Sequence, residues 1–394
     1  MLAVHPVPAA STSAMRIAVP HLTTPARAAV SPSLVTPTRQ VHSSESPLCK
    51  SLVVSDKIYG DFKISEPPLV DLLLSPPIQR LKLVLQHGIT AHIGLTPSPP
   101  VTRYEHSVGA MLLVRQAGGP VDAQASALLH DVAHTALSHV IDGVFHYVVH
   151  EEDKMEYLDT TAIPGILQKH GMSAEDIFDE TNYPLLELPS PAICADRLDY
   201  GIRDSLSFGF LTLLEAKSIA RNLRVNKEGR FCFASVHWAR RLSEAYIESD
   251  AHAWSNPRHS LLYGYAADTI RYAHSEGLLK KSDLWIEGDA FFWGTMVESP
   301  CPEVRSLASK VTKRIDVVEI SEDEARSIPE AEQYRSTAKV RTLDPDVQVQ
   351  DSLGETKRLS ELCLEYKENR EVYLQQKGGE KVFRVFREDP TETS

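Results

Sequence analysis

The sequence predicts a mostly α-helical fold with a small α+β region at its C-terminal end. Three observations predict it. From Lys57 to Arg314 apolar residues recur at helical spacing, and the strand–helix alternation of a parallel sheet is missing. Beyond Arg314 the text turns to short, charged, strand-like runs. The expected division is therefore 1–50, a disordered or transit-peptide-like segment; 51–313, the helical core; and 314–394, the α+β region.

The elements run in order. Residues Met1 to about Cys49 are rich in Ala, Ser, Thr and Pro, carry Arg16, Arg27 and Arg39, and have no acidic residue before Glu45. This bias suits either a mitochondrial transit peptide cut near "RQVHSS" or a disordered Pro-rich tail, so the expected location is the mitochondrial matrix or the cytoplasm. "KIYGDFKIS" alternates like a short strand or hairpin, and "PPLVDLLLSPPIQRLKLVLQHG" reads as two short helices broken at the prolines. "TRYEHSVGAMLLVRQAGG" is a helix with Val108, Met111, Leu112 and Arg115 at helical spacing, ended by Gly118-Gly119. "PVDAQASALLHDVAH" starts a second helix at Pro120 and Asp122. Helical text continues in "PAICADRLDYGIRDSLSFG", "TLLEAKSIARNL", "ARRLSEAYIESDAHAW" and "HSLLYGYAADTIRYAHSEGLL". The strands expected last are "RIDVVEI", "AKVRTLDPDVQV" and "REVYLQQKGGEKVFRVFRE", the last with a Gly378-Gly379 hairpin turn.

Composition excludes several functions. A formal net charge of -12 leaves no basic excess for general nucleic-acid binding, though a pocket can still take a small anion. The five cysteines are dispersed without a CxxC pair, which argues against a disulfide framework or a thiolate zinc site. No apolar run approaches the roughly 20 residues of a membrane span, so no membrane partner is expected.

Chemistry concentrates in "ALLHDVAHTALSHVID", where His130, Asp131, His134, His139 and Asp142 crowd into one stretch. Imidazole and carboxylate together suit a divalent metal. On one helix His130 and His134 share a face, whereas His139 falls opposite, so a common site requires a break near Thr135. A hydrogen-bonded histidine cluster is the plain alternative for any one of them. Two further fragments, "TRYEHS" with His106 and "CADRLDYGIRD" with Asp196, offer the missing ligands.

In these fragments the chain resembles the HD-domain phosphohydrolases, whose signature is His, His-Asp, Asp, and within them the deoxynucleoside-triphosphate triphosphohydrolase branch. The likeness runs in order from Lys57 to Arg314 through "KIYGDFKISEPPLVDLLLSPPIQRLKLVLQHG", "TRYEHSVG", "LLHDVAHTALSH" and "ADRLDYGIRD". It departs from the family at Ala133, where glycine is usual, and at Thr135-Ala136-Leu137, where Gly-Pro-Phe is usual.

The resemblance implies an HD-domain helical bundle in which His106, His130, Asp131 and Asp196 hold one divalent ion (Mn, Fe, Zn, Ni or Mg), with a second ion allowed. It implies catalytic roles for His139, Asp142, His150 and Glu151, with Asp142 orienting His150 and raising its pKa as a proton donor; His146 is the rival of His150. Gln86, Tyr200 and Asp204 match residues beside the sugar, Arg103 and His134 match phosphate contacts, and Arg197 stands where lysine is frequent. The implied reaction is phosphohydrolysis of a nucleotide, a dNTP foremost, by a homo-oligomer. Its alternatives are a phosphatase of nucleoside monophosphates or another small phosphorylated metabolite, and a non-catalytic nucleotide sensor that keeps its metal.

Overall fold

A computed structural model describes residues 51–349 and 355–387. The expectations for Met1–Cys49 lie outside the described residues. The chain enters with β1 (Leu52–Asp56) and β2 (Gly60–Ile64), an antiparallel hairpin whose turn is tied by Asp56 Oδ1 accepting the Ile58 and Tyr59 amides at 2.7 and 3.1 Å. The prolines do open two short helices, α1 (Pro67–Leu73) and α2 (Pro76–Arg80), and α3 (Gly88–His92) comes next. Proline suits a first helical position because that amide has no intrahelical partner.

The two helices expected next are α4 (Arg103–Gln116), opening on a Thr102–Glu105 capping box, and α5 (Val121–Leu129), and they pack together. After α6 (Val140–Phe145) come four short helices: α7 (Val149–Glu152), α8 (Lys154–Asp159), α9 (Ile163–Lys169) and α10 (Ala174–Phe178). Then α11 (Ala195–Ser207) lies against α4, and α12 (Leu213–Asn222) leads to the hairpin β3 (Leu223–Val225) and β4 (Phe231–Phe233). Next are α13 (Val236–Ser249), prolonged by a π-helical turn at Asp250–Trp254, α14 (Pro257–Ser275), α15 (Asp289–Val297) and α16 (Pro302–Ala308).

The C-terminal region holds β5 (Ile315–Ile320), α17 (Glu322–Ala325), β6 (Gln333–Thr337), β7 (Asp346–Gln348), β8 (Thr356–Arg358), α18 (Leu359–Leu362), α19 (Leu364–Lys377) and β9 (Glu380–Arg387). It is not a detached appendage. Strand β7 pairs in parallel with β4 of the helical core, giving a sheet in the order β3-β4-β7-β8, while β9 lies between β5 and β6 in a second sheet.

Two expectations here are corrected. Only the end of "AKVRTLDPDVQV" is strand, and "REVYLQQK" is the second half of α19 rather than one arm of a hairpin. Alternation in "KVFRVF" is real and makes β9, but the preceding run of Glu, Lys, Gln and Leu favours a helix, which anchors through buried Tyr366 and a Tyr373 hydroxyl donating to Asp250.

Apolar side chains gather in two clusters, one around α4, α5, α11 and α13, the other around α6, α14 and α15. Residues 130–139 cross from the first to the second: Val132 and Ala133 belong to one, Ala136 and Leu137 to the other. The chemistry sits on that crossing.

Candidate active site

Helix α5 stops at Leu129, not near Thr135, so His130 and His134 do not share a helical face. The residues beyond it form a turn clamped from all sides. Leu137 donates its amide to Asp289 Oδ1 (2.8 Å), Ala136 donates to the Leu284 carbonyl (2.9 Å), and Trp285 Nε1 donates to the Ala133 carbonyl (2.7 Å). Leu137 and Ser138 take left-handed φ values of 61° and 51°, which redirects the chain so that His139 returns to the side of His134.

The crossing brings His106 from α4, His130 and Asp131 from the end of α5, and Asp196 from the first turn of α11 to one point. His106 Nε2 lies 3.2 Å from His130 Nε2, 3.0 Å from Asp196 Oδ1 and 3.6 Å from Asp131 Oδ2. His130 Nε2 lies 3.5 Å from Asp196 Oδ1 and 3.7 Å from Asp131 Oδ1. The far side of each ring is fixed: His106 Nδ1 faces Asp199 Oδ2 at 2.9 Å, and His130 Nδ1 faces the Ala127 carbonyl at 2.8 Å. A carbonyl only accepts, and Asp199 is held ionised, burial being outweighed by Arg203 and His106; each Nδ1 therefore carries the proton.

The two Nε2 atoms are thereby left facing each other between two carboxylates, an arrangement that needs positive charge at its centre, supplied by protons on the rings or by a cation. A divalent ion fits it, and the Asp199–His106 contact is the support that metal-bound histidines ordinarily have. The same field acts on His106 itself: burial opposes its charged form, but Asp196, Asp199 and Asp131 push its pKa up to about 10.

Beside this point stands a second histidine cluster. His134 Nε2 is 3.1 Å from Asp131 Oδ1, its ring stacks on His150 with centroids 3.8 Å apart, and the His139 ring meets both edge-on at 5.1 Å. Asp142 Oδ2 pairs with His139 Nδ1 at 3.0 Å, while its Oδ1 accepts the Val149 amide. Asp142 therefore orients His139, not His150 as the sequence suggested. Nor is the His150 pKa raised: burial, then repulsion from His139, bring it down to about 4 despite Asp131 and Glu151. His146 caps α6 on the exposed surface with φ 63° and takes no part in the cluster. Glu151 is half exposed and shared between His150 (3.5 Å) and Lys154 (2.9 Å).

Arg103 is buried, donating to Asp131 Oδ2 (2.6 Å) and Ser138 Oγ (2.9 Å), so it reaches the cluster as expected. Arg197 does not. Its guanidinium is taken up by the Leu188 and Ala192 carbonyls (3.0 and 2.7 Å) and by Glu187 (2.9 Å), which pins the segment before α11.

Tyr200, one turn beyond Asp196, lies edge-on to His106 with ring centroids 6.2 Å apart, and its hydroxyl meets that of Tyr246. One turn further, Asp204 Oδ2 accepts from Trp254 Nε1 (3.0 Å) and lies 3.1 Å from His87 Nε2, off the line of a hydrogen bond. Gln86 Oε1, His87 Nε2 and Asp204 Oδ1 are buried with no hydrogen-bond partner among the described residues.

Sequence reading missed Asp199 and its partners Tyr59 and Arg203. The signal was there: Asp199 comes three residues after Asp196, on the same side of α11, and Gly109 comes three after His106 on α4. A Cβ at Gly109 would stand 1.9 Å from Asp199 Oδ1, so glycine is what lets the two helices meet here.

No protein-family model matches the chain. It is 41% identical over 315 residues to the metal-dependent phosphohydrolase cns2 of Cordyceps militaris, covering 75% of this chain and 85% of that protein. It is 34% identical over 312 residues to the uncharacterized protein YdhJ of Bacillus subtilis, covering 78% and 92%. Among solved structures, a phosphohydrolase from Bacteroides thetaiotaomicron aligns with a TM-score of 0.61 at 17% identity, over 86% of this chain and 100% of that one. A hypothetical protein from Aquifex aeolicus aligns at 0.65 and 18% identity, over 86% and 96%. The two structural likenesses speak for the fold.

Proposed function

Belonging as it does to the metal-dependent phosphohydrolases, the chain is a hydrolase, and we propose that it cleaves a phosphate from a nucleotide at the His106–His130–Asp131–Asp196 cluster. The observation that carries this reading is the approach of the His106 and His130 Nε2 atoms to 3.2 Å between two carboxylates, with each Nδ1 held by a partner of its own. Those four residues would hold one divalent ion, Mn, Fe, Zn, Ni or Mg, since ligand type alone does not choose among them. Such an ion supplies charge shielding for a phosphate and a more acidic water.

The chain's own groups divide the remaining work. Arg103, already beside Asp131, offers a guanidinium to a phosphate oxygen. His139, held by Asp142 and half open to solvent, is the proton donor to the leaving oxygen, because a carboxylate at Nδ1 fixes the ring and leaves Nε2 free to face the substrate. His150, buried and stacked on His134, stays neutral at pH 7 and props the donor in place. Tyr200 and Asp204 follow Asp196 along α11, Gln86 stands next to His87, which faces Asp204, and the rings of Trp254 and Tyr246 beside Tyr200 suit a nucleoside.

A dNTP triphosphohydrolase is the reading the family resemblance favours. A specific observation supports the monophosphate reading instead: Arg197, where that branch often has lysine, is taken up by Glu187 and two carbonyls and so offers no charge to the cluster. A phosphomonoester needs fewer cations than a triphosphate. The test is a turnover screen with Mn²⁺ against matched nucleoside mono- and triphosphates, ribo and deoxy, resolving orthophosphate from triphosphate. Orthophosphate from monophosphates is the expected result; triphosphate from dNTPs restores the first reading, and no turnover of any nucleotide overturns both.

A further inference from the structure

The segment from Leu284 to Asp289, which leads into α15, runs against two loops that meet beside the histidine clusters. To residues 133–137 it is tied by Trp285 Nε1 on the Ala133 carbonyl, by the Ala136 amide on the Leu284 carbonyl, and by the Leu137 amide on Asp289 Oδ1 at 2.8 Å. To residues 83–85 it is tied by the Leu85 amide, which donates to Asp289 Oδ2 at 3.0 Å, and by close packing. A Cβ at Gly288 would stand 2.3 Å from the Leu83 carbonyl oxygen. Among the described residues of this segment, Asp289 is the one that bonds to both loops.

Each loop carries site residues. The first holds Gln86 and His87, the second His134 and His139. Ser138 Oγ donates to the Leu85 carbonyl at 3.3 Å, and a Cβ at Gly88 would stand 2.6 Å from the Leu137 carbonyl oxygen, so the two loops lie in contact. Arg103 is seated between them, its amide on the Val84 carbonyl at 2.8 Å and its Nε on Ser138 Oγ at 2.9 Å.

The second loop needs an external hold. Leu137 and Ser138 keep left-handed φ values, which side chains of their kind rarely adopt and which persist where the surroundings fix them. The Asp289 bond falls on the amide of the first of the two. Asp289 itself is 1% exposed, and burial pushes its pKa up to about 6 against the pull of the two amides, Arg103 and Arg80. At pH 7 it is therefore mostly ionised, and both oxygens accept. Two charge-assisted bonds to one buried carboxylate set the spacing of the loops.

We propose that Asp289 is a positioning residue: through the Leu137 and Leu85 amides it holds the His139 side of the site in register with the Gln86–His87 side. The kinetic half of this proposal rests on the function proposed above. The structural half does not.

The experiment reads hydrogen exchange at single amides and steady-state kinetics in Asp289→Asn, both on full-length, Mn²⁺-loaded protein and with the best-cleaved nucleotide of the screen above. Asparagine offers one acceptor oxygen, and its NH₂ meets the other amide donor to donor. One of the two amides should then exchange about tenfold faster or more, with a full equivalent of Mn²⁺ retained. If that amide is Leu137, kcat falls about tenfold or more with KM little changed, and the difference vanishes in a His139→Ala background, where the donor is already gone. If it is Leu85, KM rises by about as much with kcat little changed. Should Asp289→Asn not fold, Asp289→Glu is read in the same way, its longer arm displacing both loops.

Unchanged exchange at both amides overturns the proposal, and so does a kinetic effect belonging to the loop that stayed protected. A kcat loss that persists in full in the His139→Ala background overturns the route through His139. If the wild type turns over no nucleotide, the function proposed above falls, and exchange alone decides whether Asp289 holds the two loops.

Discussion

Asp142 chooses between two histidines, and that choice sets the strongest test of the mechanism. Because it pairs with His139, His139→Ala should retain metal and lose turnover by roughly 10²- to 10⁴-fold, the usual worth of a positioned proton donor. Asp142→Asn should show a milder form of the defect, since an amide can still hold the ring but through a weaker, uncharged hydrogen bond. His150→Ala should cost less than either. A His150 variant as inactive as His139→Ala, with a silent Asp142→Asn, would falsify the assignment. The ion has a separate check. His106→Ala or Asp196→Ala should strip most of the metal, and Asp199→Ala should weaken its affinity by roughly 10- to 100-fold by freeing the His106 ring. Elemental analysis and Mn²⁺ titration read both; a full equivalent bound at wild-type affinity in all three variants would sink the four-ligand cluster.

Between elements, the decisive contact is α4 against α11. It lets His106 and Asp196 converge, and it depends on a missing side chain at Gly109, where any Cβ collides with Asp199. Gly109→Ala should therefore lower stability by about 2 kcal/mol or more and weaken metal binding together, measured by denaturant unfolding and Mn²⁺ titration. Normal stability with normal metal affinity would mean the helices do not meet so closely.

This interface was partly readable beforehand. His106, His130, Asp131 and Asp196 stand out because charge interrupts apolar helical text, and the three-residue spacing of Gly109 and Asp199 repeats that of a helix face. The His139–Asp142 pairing was not readable, because it depends on left-handed turns at Leu137 and Ser138 that leucine's own preferences argue against. Arg197 misled for a related reason: a basic residue beside a metal ligand looks functional until its carbonyl partners, supplied by a loop, are known. In α19, "EVYL" close to "KVFRVF" suggested two arms of a hairpin, whereas the partners of β9 proved to be β5 and β6, far away in sequence.

For the molecule as a whole, the C-terminal region is part of the core's closure. Leu343, Val347, Leu359 and Tyr366 are buried in the same apolar cluster as α4 and α11. A chain ended after Thr337 should lose cooperative thermal unfolding and its metal, rather than keep an intact catalytic core; a sharp transition with bound Mn²⁺ would show that the core stands alone.

Stability should also depend on pH through His259. Burial, with His87, His252 and Arg258 adding to it, lowers its pKa from the ordinary 6.5 to about 3. Between those values the unfolded chain binds the extra proton, so this contribution is complete above about pH 6.5 and is lost as the pH falls toward about 3. Urea midpoints measured across that window should fall less steeply for His259→Gln than for the wild type; parallel slopes would remove His259 from the account.

The pairing of β4 with β7 has a consequence for how the protein is made. Phe233 waits for Val347, so the ribosome must deliver over a hundred further residues before that strand edge is covered. Throughout that interval Phe231 and Phe233 belong to an unfinished sheet on an otherwise largely synthesised helical body. Such edges recruit neighbours, and nascent chains of this protein should depend on holding chaperones until the last strands emerge.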